Sequence, residues 1–502
     1  MRINRLYGPD EPFVSGEVFA RAFTQGSAGR RADRAQISRW ERGAEPVNFA
    51  TLARYEQLLG VEPGRLTSTA EIVYREIHNG GRRYLPRQRD SQSAAGLLDK
   101  AIGSDRMTGL DWDRLTARLV AMRSHRRSPS EPERAIAQRL VSELAIADDL
   151  EWLLRSCSVD RLLRVERLEA AVVGACADIV ADGSSQVVIE PMTILETAAN
   201  RDAARRILRS ITEPTNMRAY QAAWWAAAEK VNRRHFTEDQ LMTLFDHATG
   251  LLAEADDLPG CRMAAASVVR SDPRQMRREA LDLILRRDAL ARNVFASLRT
   301  TPRERSDTLI ARVAGATIRE MPRDVLTTDP MLALLLDEML FHPHISRRIA
   351  ATHCLEATPY RAKVAACLVR ELRQRSLRDD IAAATHVIQA VGSLGLPEHR
   401  PAIELLALDP ATPHSLYSSA VGALAHMRGE TDDAVWSRLV LRPTQTLVYA
   451  AGVHRKTAVL RRLRDDPDNA PDIRVGASWW SRVPTSILIS TRRLGWCPSS
   501  WR

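Results

Sequence analysis

Apolar positions in residues 15–59 recur at helical spacing in three short groups. In 15–23, "SGEVFARAF", Phe19, Ala20 and Phe23 fall on one side behind Ser15, a residue suited to cap a helix start. In 34–43, "RAQISRWERG", Ile37 and Trp40 lie three apart and share a face. Asp33 before them is a good N-cap, and Gly43 is a natural left-handed stop. In "AEPVNFATLARYEQLLGV" (44–61), Phe49, Leu52, Tyr55, Leu58 and Leu59 form a stripe that can cover the base of the second helix, and Pro63 opens a further short helix. Residues 79–95, "GGRRYLPRQRDSQSAAG", lose all periodicity and read as a linker.

From about residue 96 helix follows helix, punctuated by Pro, Asp or Gly. Val364, Ala365, Leu368, Val369 and Leu372 share one face, as do Ile381, Ala384, Ile388, Val391 and Leu394, and then Leu416, Ala420, Val421, Leu424 and Met427. An Ala-x-x-x-Leu step recurs at Ala351/Leu355, Ala390/Leu394 and Ala420/Leu424, 39 and then 30 residues apart. Such pairs cannot bury their stripes alone, so neighbours must stack. The period and the small residue resemble HEAT-like repeats, with a TPR-type array as the alternative. Ser130–Glu133, Thr237–Gln240 and Thr301–Glu304 read as capping boxes. "QVVIE" (186–190) is the one plausible strand in an otherwise all-α chain. The expected organisation is a small helix-turn-helix domain over 1–78, a basic linker over 79–95 and a large helical-repeat domain over 96–502.

Charge adds a location rather than a class. The 502 residues carry 72 Lys+Arg against 62 Asp+Glu, a net charge of +10, yet only four of the basic residues are Lys. Residues 21–42 hold six Arg against Asp33 and Glu41, and residues 75–89 hold five against Glu76. With Ile37 and Trp40 turned inward, Arg34, Ala35, Ser38, Arg39 and Arg42 point outward. Arg forks match the O6 and N7 acceptors of guanine, and an Arg at a helix end meets phosphate. Arg82 and Arg83 place a basic arm beside this helix, suited to tracking phosphate.

"ISRWERG" followed by "LARYEQLLGV" resembles the Cro/XRE-type, lambda-repressor-like helix-turn-helix over roughly residues 13–70. The resemblance implies a positioning helix at Ser15–Phe23 and a recognition helix at Asp33–Arg42. Arg34, Ala35, Ser38 and Arg39 would then face bases, with Gln36 and Arg42 nearer the backbone. It also implies that Glu41 pairs with an Arg of the first helix, Arg2 or Arg5. The connecting segment "TQGSAGRRADR" is longer than the family's turn and carries Arg30 and Arg31, and Gly16 stands where the family has Gln. The implied partner is double-stranded DNA. The repeats would serve a peptide, protein or small-molecule effector, or homodimerisation. A helical-repeat scaffold whose N-terminal domain contacts protein is the alternative.

Other chemistry finds no anchor. The phosphate-loop, dinucleotide, zinc-protease and esterase motifs are absent, so neither an enzyme nor a cofactor is expected. His342, His344, His353 and Cys354 are too spread to share one helical face, and no metal is expected. Of Trp224 and Trp225 one is expected to pack inward, and Trp479, Trp480, Trp496 and Trp501 to cover the array's last apolar edge. Six scattered cysteines, no apolar leader in "MRINRLYGPDEPFVSG", and an apolar run at 331–340 broken by Asp337 and Glu338 lead us to expect a cytoplasmic protein off the membrane.

Overall fold

The computed structural model describes residues 1–9, 11–25, 31–77, 94–122, 128–253, 259–270, 303–323, 325–342 and 344–482. Every regular element among them is helical, so the fold is all-α with repeat-like packing. The segment 186–190 is no strand: Ile189 opens the helix Ile189–Thr197, with Pro191 in the first turn, where its missing N–H costs nothing. An apolar run of five residues cannot distinguish a strand from the start of a buried helix. No helix among the described residues is long and apolar enough to cross a membrane.

The chain forms two compact units. One joins the described residues up to Asp90 with those from Pro302 to Ser481; the other spans those from Ser91 to Thr301 and includes Arg482. Residues 96–502, expected as one array, are thus divided, and the N-terminal helices share a unit with the later part.

In the 91–301 unit, Gly109–Ala121 packs on Asp149–Leu162, and Glu131–Leu144 on Glu166–Ala181, an alternation that continues to Pro259–Arg270. Both capping boxes expected here form. Ser130 N donates to Glu133 at 2.8 Å, and Thr237 N donates to Gln240 at 3.0 Å. Its core holds ionic groups as well as Leu, Val and Ala. Trp112 Nε1 donates to Glu143 at 2.7 Å, while Arg155 reaches Glu143 at 3.2 Å and the Met107 carbonyl at 2.9 Å. Trp224 is fully buried, edge-on to Tyr220, whereas Trp225 stays exposed.

In the other unit, the helices Ile345–Glu356, Ile381–Leu394, His414–His426 and Gln445–Val453 pack side by side in that order. Arg361–Leu372 packs on the second of them and Arg400–Leu408 on the third. All six residues of the three Ala-x-x-x-Leu steps are buried. Two arginines 39 residues apart repeat one device. Arg361 donates to the carbonyls of Leu394 and Ser393, and Arg400 to those of Leu424 and Met427. Each thereby satisfies carbonyls that the end of the next helix leaves unpaired.

Trp480 closes the last packed pair. It is buried, stands edge-on to Tyr449 at 5.9 Å and lies flat against Gly452. Trp496 and Trp501 lie outside the described residues, as does Thr301. A Cβ built on Gly452 would come within 2.0 Å of the Trp480 ring, but one on Gly422 meets only Thr446 at 3.4 Å. Gly452→Ala is therefore expected to lower stability by about 1–3 kcal/mol through overpacking. Gly422→Ala, in a helix with room for the methyl, is expected to raise it by about 0.5–1 kcal/mol. Urea titration of the two variants distinguishes these opposite signs.

Candidate nucleic-acid interface

Five helices build the N-terminal module: α1 (Arg2–Tyr7), α2 (Gly16–Thr24), α3 (Arg34–Glu41), α4 (Phe49–Leu59) and α5 (Arg65–Ile77). The expected caps are in place. Asp33 accepts from the Gln36 N–H at 2.6 Å and opens α3. Gly43, at φ +69°, closes it: its N–H donates to the Trp40 carbonyl at 3.1 Å, and that of Ala44 to Arg39 at 2.9 Å. This doubled return bond is the Schellman stop that a left-handed glycine permits.

The inward side of α3 is fixed by aromatic packing. Ile37 is buried among Phe19, Phe23, Tyr55 and Leu59, and Trp40 leans on Phe23 at 5.4 Å between ring centres. Thr24 ties the two ends of the long connection, accepting from Ala32 N at 3.1 Å and donating to the Ala20 carbonyl at 3.0 Å. Arg54, which no sequence signal singled out, donates from α4 to the Ala22 and Gln25 carbonyls at 2.9 and 2.6 Å, closing the end of α2.

Glu41 takes Arg5, while Arg2 is exposed. The pair is bidentate, at 2.7 and 2.8 Å, with side chains only 9% and 3% exposed. Arg5 also donates to the carbonyls of Phe13 and Val14, and the Tyr55 hydroxyl approaches Glu41 at 3.4 Å. One guanidinium therefore joins α1, the turn before α2, and the end of α3.

On the outward side, Arg34, Ala35, Arg39 and Arg42 are exposed, and Gln36 and Ser38 partly so. Asp33, Arg34, Ala35, Ser38, Arg39 and Arg42 line an open groove of about 590 Å³. Arg31 is exposed just before it. Arg30, Arg82 and Arg83 lie outside the described residues. Arg42 folds back to donate to the Ser38 carbonyl at 3.2 Å. Arg39 donates to Gln36 and, at 3.1 Å, to Glu45. Sequence reasoning passed over Glu45; hydrogen bonds from Gln36 and Arg39 hold its carboxyl below the usual glutamate range.

A second surface of the module is already occupied. Asn4 Nδ2 donates to the Ala357 carbonyl at 2.6 Å, and Arg323 donates to the carbonyls of Leu6 and Gly8 at 3.0 and 3.2 Å. Tyr7 meets Tyr360, and buried Arg65 on α5 lies 3.6 Å from Glu356. His353, considered above with the spread histidines, bonds Glu356 at 2.6 Å and so belongs to this contact. No cluster of His, Cys, Asp or Glu fit for a metal occurs among the described residues.

No family model, curated protein or solved structure matches the chain. The geometry of the site itself carries its interpretation.

The Arg5–Glu41 pair makes a direct test of how α3 is held. Removing one partner of a buried pair strands the other charge, so Glu41→Leu or Arg5→Met alone is expected to cost about 3–5 kcal/mol. The double variant Arg5→Met/Glu41→Leu strands neither charge and is expected to cost less than either single change. Guanidinium denaturation of the four proteins supplies the cycle; additive losses would mean the two side chains act separately.

Proposed function

We propose that this protein is a sequence-specific DNA-binding regulator whose α3 enters the major groove. The observation that supports it most directly is the face itself. Three arginines, an alanine and a serine, with the capping Asp33 at one end, line one open groove on a helix whose opposite side is locked into a core. Arg34 and Arg39 are the side chains for base edges, and Arg31 and Arg42 those for phosphate. The helical array offers the surface for an effector, a partner protein or a second copy. The adaptor reading has its own observation, the docking of α1 and α5 on residues 323–360. That contact is within one chain and uses other faces than α3, which favours the DNA reading.

Selection from a random duplex pool with the full chain, followed by affinity measurements over a salt series, tests the proposal. Arg39→Ala is expected to cost about 1–3 kcal/mol on the selected site and to relax the preference at one position. Arg31→Ala is expected to weaken all duplexes alike and to reduce the salt slope by about one. Equal losses on selected and random DNA for Arg39→Ala would remove its base-reading role, and no shift of any duplex at low salt would remove the proposal.

A further inference from the structure

Arg39 is not a free probe. Its Nε donates to Glu45 Oε2 at 3.1 Å, and its Nη2 donates to Gln36 Oε1. Gln36 and Glu45 thus hold the Arg39 guanidinium between them, one on Nη2 and the other on Nε. Glu45 follows directly on the Schellman stop of α3, whose bonds are made by Gly43 and Ala44. Arg34, by contrast, has no hydrogen-bond or ion-pair partner among the described residues.

The clamp is a poor device for stability. Both charged side chains are more than two-fifths exposed, and such pairs contribute little to folding. A carboxylate beside a phosphate-binding face also weakens general DNA affinity. What the clamp does supply is orientation. With Nε and one Nη2 hydrogen engaged, the donors left to Arg39 are those of Nη1 and the second Nη2 hydrogen. These two make the end-on fork, which matches the paired O6 and N7 acceptors of guanine. Ordering a long side chain before binding removes that entropic cost from the binding step.

We infer that Glu45, with Gln36, is a positioning residue that commits Arg39 to guanine and keeps it off phosphate, making Glu45 a determinant of sequence preference. The inference rests on the DNA reading above. Sequence preference is a difference of affinities, and the carboxylate lowers binding to wrong sequences more than to the right one.

The test uses the full chain as wild type, Glu45→Ala and Glu45→Gln, the last keeping an acceptor without the charge. Each is titrated against three duplexes: the selected site, the same site with the guanine read by Arg39 changed to adenine, and random sequence. For Glu45→Ala, binding to random duplex is expected to tighten about twofold to fivefold. Its preference for guanine over adenine is expected to fall at least about fivefold, within the range that one bidentate contact supplies. Glu45→Gln should retain part of the preference. Thermal unfolding of each variant confirms an intact fold, since Glu45 lies outside the core. A preference unchanged within twofold in Glu45→Ala overturns the inference and leaves the DNA reading standing. A wild-type chain that selects no site overturns both.

Discussion

Everything the outward face of α3 can do depends on the Arg5–Glu41 pair. A helix of two turns has little stability of its own and takes its position from what it is packed against. Ile37 and Trp40 give it an apolar footing, but apolar contacts are non-directional and tolerate rotation. A bidentate carboxylate–guanidinium pair does not, because its two parallel hydrogen bonds fix angle as well as distance. Arg5 uses its remaining donors on the carbonyls of Phe13 and Val14, so the same group also fixes where α2 begins. Rotation of α3 by one residue would turn Ser38 or Arg39 inward and spoil the groove.

Arginine plays two roles in this chain, and only location separates them. Arg155, Arg161 and Arg262 are among its largest fully buried side chains. Arg54, Arg361 and Arg400 spend their donors on helix-end carbonyls. A fork of five donors with no acceptor suits those carbonyls better than any other side chain. Much of the arginine content therefore serves the fold, and the net charge of +10 is weak evidence for an acidic partner. Arg31, Arg34, Arg39 and Arg42 differ from these in standing exposed.

Much of the N-terminal module was legible in the sequence because its signals are local. Caps and stops act over three to six residues, and Asp33, Gly43, Phe19, Phe23, Ile37 and Tyr55 each occupy the place that spacing assigned. The stripes of the later helices were legible for the same reason. Long-range pairings were not. Choosing Arg5 over Arg2 for Glu41 was beyond spacing, and Asn4 meeting Ala357 spans 353 residues with no local trace. The division into two units escaped for the same cause, since it depends on which distant helices meet. Glu45 was missed because a single exposed glutamate after a helix stop looks like solvated surface. Only the bond from Arg39 gives it a role.

The docking of α1 and α5 has a mechanical consequence for any effector on the array. Ala357, in the turn after Ile345–Glu356, belongs to the same apolar cluster as Phe19, Phe23 and Ile37. The core beneath α3 is thus partly built from the repeat side, through one buried residue and a ring of polar contacts around it. Close-packed cores respond to displacement by switching between discrete arrangements, not by gradual deformation. A shift of Ile345–Glu356 within its stack must therefore break the Asn4 and Arg65 contacts or carry the N-terminal module along as a body. In neither case does α3 turn relative to α2, because Arg5, Arg54 and Thr24 bind the module internally. Control exerted through the array would act on where the face is presented, while the face itself stays built.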